Sequence, residues 1–296
     1  MLLYSHDPGF SFEDWKHEPI TKLFGGCDCV MAITGDGRIL QKVLDPDCAA
    51  RTEYWRNITS IAVSGCVPGA AIGLVNDGTC MISKKPLKRL LGQTAMHRIN
   101  DTIKQWTDIV AVYANDAFFG LDRNGRVHYV CFREGEYDYR ETENWPDVVA
   151  LFPGTQNALF GVTEDGSVVC AGQNCTVGPC GDLRPKLSAL SDIAAVCPAG
   201  SEGEQLLLFR KDGTVTDLHG NNYPNAALPV NTNHCFVLCA YRNPQDAVTM
   251  IPYGMPPSAF SCRGGRLGHF AVGFRGSEAF VIAVKESSGL LDRLFG

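Results

Sequence analysis

The sequence predicts an all-β fold, a β-propeller of seven blades, on three observations. Turn-forming Asp-Gly and Asn-Gly pairs recur at intervals of 41–47 residues. Apolar, strand-like segments flank every pair. The tryptophans stand in the same phase of that repeat. Six blades with an enlarged last blade is the alternative count.

The repeat is read first from its turns. The pairs are Asp36-Gly37, Asp77-Gly78, Asn124-Gly125, Asp165-Gly166 and Asp212-Gly213, and their glycines lie 41, 47, 41 and 47 residues apart. Such pairs tolerate the backbone of a tight hairpin, so each is expected to be a hairpin tip. Upstream of each tip runs a second apolar segment. In order these are Ile20-Thr-Lys-Leu-Phe, Ile58-Thr-Ser-Ile-Ala-Val, Ile109-Val-Ala-Val-Tyr, Val148-Val-Ala-Leu-Phe and Ile193-Ala-Ala-Val-Cys. Trp55, Trp106 and Trp145 precede three of them closely, Trp15 stands slightly farther ahead of the first, and Leu190 takes the place in the fifth. Small residues recur on the strand before the tip, namely Ala32, Gly73, Gly120 and Gly161. Crowding of innermost strands around a central axis is the packing reason expected for them.

A unit of three or four short strands at this period matches a propeller blade, whose radial closure protects sheet edges. A β-solenoid is the rival, but it uses shorter rungs. Past Gly213 the pattern weakens. Gly254 keeps the 41-residue spacing with Tyr253 in the place of Asp, and Gly276 follows only 22 residues later. Clear repeats therefore cover about 15–220, degenerate ones about 230–284, and a short tail 285–296, all in one domain, 1–296. Met1–Tyr4 is the candidate strand for closing the ring. The tail, with Leu290, Leu291, Leu294 and Phe295, is expected to dock on the last blade.

Composition limits the function classes. The chain has 296 residues, 26 Lys+Arg against 32 Asp+Glu for a net charge of −6, 45% hydrophobic and 20% charged residues. That excludes disorder, and the 31 glycines show no triplet period, which excludes collagen. No apolar run approaches the roughly 20 residues that cross a bilayer. The first residues lack a basic segment followed by an apolar stretch, so a cytoplasmic protein is expected, without membrane contact. An acidic balance disfavours nucleic acid as a partner. The 13 cysteines are odd in number, and the one pair with zinc-type spacing, Cys235 and Cys239, lies in an apolar strand-like run, so packing is expected for most of them, with zinc the minority reading and no metal or cofactor assigned.

No Walker loop, Gly-x-Ser-x-Gly elbow or His-Glu-x-x-His helix occurs, and the seven histidines are scattered, so no catalytic residue is assigned. Two charged stretches remain. Arg133–Asn144 joins the third and fourth repeats and sets Glu134, Glu136, Asp138, Glu141 and Glu143 around Tyr137 and Tyr139. Tyrosine amid charge suits an adaptable contact surface, so Glu134, Glu136, Tyr137, Asp138, Tyr139 and Glu141 are the candidate partner-binding residues. Lys84-Lys-Pro-Leu-Lys-Arg89 reads as a solvated loop, with an acidic partner as the alternative.

The segment Trp145-Pro-Asp-Val-Val-Ala-Leu-Phe-Pro-Gly, Phe160-Gly-Val-Thr-Glu-Asp-Gly-Ser-Val-Val-Cys-Ala-Gly-Gln-Asn174 and Gly178-Pro-Cys-Gly resembles the regulator of chromosome condensation repeat in its bacterial form. The resemblance implies a β-propeller, typically of seven blades, acting as a protein-binding platform. Relatives include an exchange factor for a small GTPase, a β-lactamase inhibitor and an ultraviolet sensor. None of those activities carries over residue by residue, because the basic arm, export signal and tryptophan cluster they need are missing. The expectation is a monomeric, non-catalytic scaffold, bacterial in type, that recognises a partner protein through rim loops. A ligand-binding or catalytic central channel is the second reading, and exchange-factor activity the third.

Overall fold

In the computed structural model, the described residues are 2–4, 9, 11–154, 158–172, 175, 182–199, 205–223, 226–227, 239–242, 247–251, 258–261, 267–275 and 278–285. Strand β1 spans Leu2–Tyr4. The first full sheet comprises β2 (Ile20–Gly26), β3 (Cys29–Thr34) and β4 (Ile39–Val43). The second holds β5 (Ile58–Val63), β6 (Ala71–Val75) and β7 (Cys80–Ile82). Two helices follow, α1 (Lys84–Leu91) and α2 (Gln93–Ile103). The third sheet is β8 (Ile109–Ala114), β9 (Ala117–Asp122) and β10 (Val127–Cys131). The fourth is β11 (Val148–Pro153), β12 (Leu159–Thr163) and β13 (Val168–Ala171). After the short α3 (Arg184–Leu187) come β14 (Ile193–Ala199), β15 (Gln205–Arg210) and β16 (Val215–Asp217).

The remaining strands are β17 (Ala226–Ala227), β18 (Cys239–Arg242), β19 (Ala247–Ile251), β20 (Ser258–Ser261), β21 (Leu267–Arg275) and β22 (Glu278–Lys285). Together the described strands make seven sheets, the sixth of four strands. The last sheet, ordered β1-β22-β21, joins the two ends of the chain, with Leu2 opposite Val284 and Tyr4 opposite Ile282. The 286–296 tail lies outside the described residues.

First strands pack on first strands from β2 through β14, and β21 packs on β2. These strands therefore line the axis, while the third strand of each of the first five sheets faces outward. Apolar clusters fill the spaces between neighbouring sheets; one joins Trp106, Ile109 and Val112 to Ile72, Leu74 and Ile82. Five first strands carry a β-bulge at the same register, between Ile20/Lys22, Ile58/Ser60, Ile109/Ala111, Val148/Ala150 and Ile193/Ala195. A bulge re-aims the extra side chain. Thr21, Thr59, Val110, Val149 and Ala194 are accordingly exposed where the first strands begin.

The five expected tips are hairpins, with a turn chemistry that differs from a two-residue loop. Each glycine N–H donates to the carbonyl three residues earlier, Gly37 to Thr34 at 2.9 Å and Gly166 to Thr163 at 2.9 Å. Only the glycines, Gly37, Gly78, Gly125, Gly166 and Gly213, have positive φ, between 75° and 89°. This is a three-residue loop closed by a left-handed glycine. Aspartate serves instead as an acceptor: Thr79 N–H bonds Asp77 at 2.9 Å, Ser167 N–H bonds Asp165 at 2.9 Å, and Thr214 N–H bonds Asp212 at 2.8 Å.

The recurring small residues have a different cause from the expected crowding at the axis. Gly73, Gly120 and Gly161 lie on the middle strands β6, β9 and β12. A Cβ there would stand 2.8 Å from Trp55, 2.9 Å from Trp106 and 2.9 Å from Trp145. Each glycine is the seat for the indole of its own repeat. Trp15 has no glycine opposite and packs instead with Ala32, Leu23 and Phe12.

The basic stretch after the second tip is helical, contrary to the loop expected. Its signal is present in the sequence: Leu87 and Leu91, then Met96, Ile99 and Ile103, recur at helical spacing. A further hairpin, unforeseen, turns at residues 217–221. Gly220 (φ 84°) donates to the Asp217 carbonyl at 3.1 Å, and the Asp217 carboxylate accepts from His219 N–H and Asn221 N–H. It copies the Asp122–Arg126 tip with His-Gly in place of Asn-Gly.

Candidate functional site

The ends of the sheets define two faces. Hairpin tips occupy one; the loops from first to second strand occupy the other. The loops at Gly26–Cys29, 64–70 and 115–116, and Gly154 at the end of β11, are clasped in sequence by hydrogen bonds. Cys27 N–H donates to the Ser64 carbonyl at 3.0 Å, Ser64 Oγ donates to the Asn115 carbonyl at 2.8 Å, and Asn115 Nδ2 donates to the Gly154 carbonyl. Ser64 Oγ also accepts from Cys66 N–H at 3.1 Å and Val67 N–H at 2.9 Å. Ser64 and Asn115 are buried. A buried polar group persists when its hydrogen bonds are met, so this relay fixes three consecutive loops and Gly154 as one surface.

The Arg133–Asn144 connector leaves that face beside the third loop, where Phe132 N–H donates to the Asp116 carbonyl at 3.0 Å. It then crosses the outside of the fourth sheet. Tyr139 anchors it at 2% exposure, edge-on to Phe119 at 5.1 Å and to Tyr129 at 5.5 Å. Its backbone carbonyl accepts from Thr142 N–H at 2.9 Å and Thr142 Oγ1 at 2.7 Å, and Thr142 is buried too. Tyr139 is therefore removed from the proposed contact residues: its ring is core. Burial, then Asp116, pushes its hydroxyl pKa far up.

Glu134, Glu136, Asp138 and Glu141 are exposed, and Tyr137 is half-buried. Tyr137 is pushed up to about 12 by burial first and then by Asp116, Glu136 and Cys66, which places its phenol in an acidic surrounding. Three of the four carboxylates are held by arginines. Arg133 pairs with Glu136 at 3.4 Å, Arg140 with Asp138 at 2.6 Å, and Arg184 with Glu141 at 3.2 Å. The Arg140 hydrogen bonds hold Asp138 at about 2. Arg184 sits on α3, beyond the whole fourth sheet, and its pairing with Glu141 was not legible in sequence.

The structure thus brings Tyr137 and Glu136 together near Asp116, leaves Glu134 and Asp138 exposed on either side of them along the connector, and pairs Glu141 with Arg184 on α3. The repeat residues Gly37, Gly78, Gly125, Gly166 and Gly213 stand on the opposite face, and Trp15, Trp55, Trp106 and Trp145 lie between sheets. Among the described residues, Cys29, Cys48, Cys131, Cys170, Cys175 and Cys197 are buried, Cys27 and Cys80 half-buried, and Cys66 exposed. Burial pushes the Cys80 thiol up to about 12 and the Cys131 thiol to about 11, which keeps them protonated and unreactive. No group of three or more His, Cys, Asp or Glu with metal-holding geometry exists among the described residues. No helix among them is long and apolar enough to cross a membrane.

Solved structures with the same architecture include Prp20p from Saccharomyces cerevisiae, studied for its binding to Gsp1p and histones. Its TM-score is 0.56 at 12% identity, over 93% of this chain and 84% of that one. Yeast RCC1 (Prp20) with Kap60 bound gives 0.55 at 14%, over 93% and 82%. Likeness at that identity establishes the fold, the propeller of the regulator of chromosome condensation. No protein-family model and no curated protein matches the sequence.

Proposed function

We propose that this propeller is a non-catalytic protein-recognition platform whose contact surface is the start of the connector together with the clasped loops beside it. The observation that carries this reading is the anchoring of the connector. Buried Tyr139 and Thr142 pin it from below, so Glu134, Glu136, Tyr137 and Asp138 stand on a surface whose geometry is set before a partner arrives. Pre-organisation lowers the ordering cost of binding, and tyrosine supplies contact area at small entropic loss. That proteins with this fold bind Gsp1p, histones and Kap60 is consistent with a platform role.

A pull-down from cytosol with wild type and with Glu134→Ala/Glu136→Ala/Tyr137→Ala tests the contact surface. Loss of a specific partner from the variant is expected; identical partner lists from the two proteins would refute the assignment. Tyr139→Ala serves as the control for collapse of the connector.

A further inference from the structure

The helical hairpin inserted between the second and third sheets carries a charge opposite to the rest of the molecule. Residues 84–104 hold four Lys and two Arg against one Asp, a net +5, so the remainder of a chain of net −6 carries −11. Its inner side is fixed: Pro86, Leu87, Met96, Ile99 and Ile103 are buried, most of them in the cluster shared by the second and third sheets. Both arginines are committed. Arg89 pairs with Asp45 at 2.9 Å and with Asp47 at 3.3 Å, and Arg98 donates to the Cys131 and Phe132 carbonyls at 2.7 and 3.0 Å.

Lys84 and Lys88, one turn apart on α1, are exposed and form no ion pair among the described residues. α1 also breaks the usual charge rule for helices. Its first turn holds Lys84 and Lys85 and no acid, although the amino end of a helix favours negative charge. The preceding Ser83 does not cap it, because Ser83 Oγ accepts from Ala71 N–H at 2.7 Å and donates to the Gly69 carbonyl at 3.0 Å. The amino end of α1 therefore has neither a side-chain cap nor an acidic residue to offset it, and Lys84 and Lys88 add two exposed positive charges to an element held by its buried side.

We propose that the exposed side of α1, centred on Lys84 and Lys88, docks an acidic segment of a partner protein, at a surface separate from the connector. Charge complementarity selects the occupant, and the kind of cation selects its class. An eight-residue helix is about 12 Å long, too short to follow a phosphate backbone. The two free cations are lysines, while the arginines that would grip phosphate bidentately are already engaged. Residues 84–105 contain no Phe, Tyr or Trp on which a base could stack. Asp45 and Asp47 at the border would repel a polyphosphate.

The test is fluorescence anisotropy on the full-length chain with a labelled glutamate-rich peptide and, in parallel, a labelled single-stranded DNA of equal charge. The peptide is expected to bind wild type, and Lys84→Glu/Lys88→Glu to weaken it by about tenfold or more. Lys84→Gln/Lys88→Gln should give an intermediate loss, and Glu134→Ala/Glu136→Ala none. Circular dichroism on each variant checks that α1 is intact, as expected for substitutions at exposed positions. Absence of peptide binding, or equal binding by the charge-reversed variant, would overturn the proposal. DNA binding as tight as the peptide, with the same loss, would overturn it in favour of a general polyanion site.

Discussion

Gly120→Ala isolates the fit between a glycine and a tryptophan that recurs in three sheets. The new Cβ would lie 2.9 Å from Trp106 Cε3, 3.1 Å from its Cζ3 and 3.1 Å from Ile109 Cδ1. Trp106 is 4% exposed and flanked by packed side chains, so the indole has little room to withdraw. Overpacking of this kind costs about 1–3 kcal/mol, while replacing a strand glycine by alanine returns about 0.5–1 kcal/mol. The net expectation is a loss of about 1–2 kcal/mol. Trp106→Ala alone should cost about 3–5 kcal/mol through the cavity it opens. In that background the overlap with Trp106 is gone, and adding Gly120→Ala should be neutral or stabilising by about 0.5–1 kcal/mol. The coupling between the two sites then equals the overlap cost alone, about 1–3 kcal/mol. Urea unfolding of the four proteins, followed by circular dichroism at constant m, measures it. Equal effects of Gly120→Ala in both backgrounds would refute the account.

Other consequences follow from the same geometry. Gly166→Ala should cost about 1 kcal/mol or more beyond Gly37→Ala by urea unfolding. Both have positive φ, but a Cβ at Gly166 meets Asp192 N at 2.8 Å whereas one at Gly37 meets nothing within 4 Å. Asn115→Ala leaves the Gly154 carbonyl without its donor and should lower stability by about 1–3 kcal/mol. Hydrogen exchange should rise around Gly154 first, and an unchanged pattern would deny the relay its role. Asp36 is held at about 2 by hydrogen bonds from Thr34 and Arg38. Its depressed pKa stabilises the fold above about pH 4, and that effect disappears as pH falls through about 2. A carboxyl-carbon NMR titration should show a midpoint near 2 that moves toward about 4 in Arg38→Ala.

The parts of the fold legible in the sequence are those set by local chemistry repeated in register. Glycine tolerates positive φ without regard to its surroundings, so five glycines at a common spacing mark five tips. The strands between them follow from apolar segments of constant length. The helical hairpin was legible too, through Leu87, Leu91, Met96, Ile99 and Ile103, but its period is 3.6 and lies inside a repeat whose turns dominate the pattern. The hairpin at 217–221 was hidden because His219-Gly220 stands where other tips have Asp-Gly or Asn-Gly.

The candidate surface was legible in composition and not in orientation. Tyr137 and Tyr139 have the same side chain, two residues apart on one connector, and nothing local separates them. Tyr139 turns inward because Phe119 and Tyr129 from the third sheet offer it an apolar socket; Tyr137 stays half-buried beside Asp116. The pairings of Glu141 with Arg184 and of Asn115 with Gly154 span 43 and 39 residues, and only closure of the blades brings them together. The sequence by itself determined the repeat, its turns and the sign of each surface, since these depend on backbone freedom and charge. The tertiary structure decided which side chains face solvent and which glycines seat an indole, because packing between distant strands sets both.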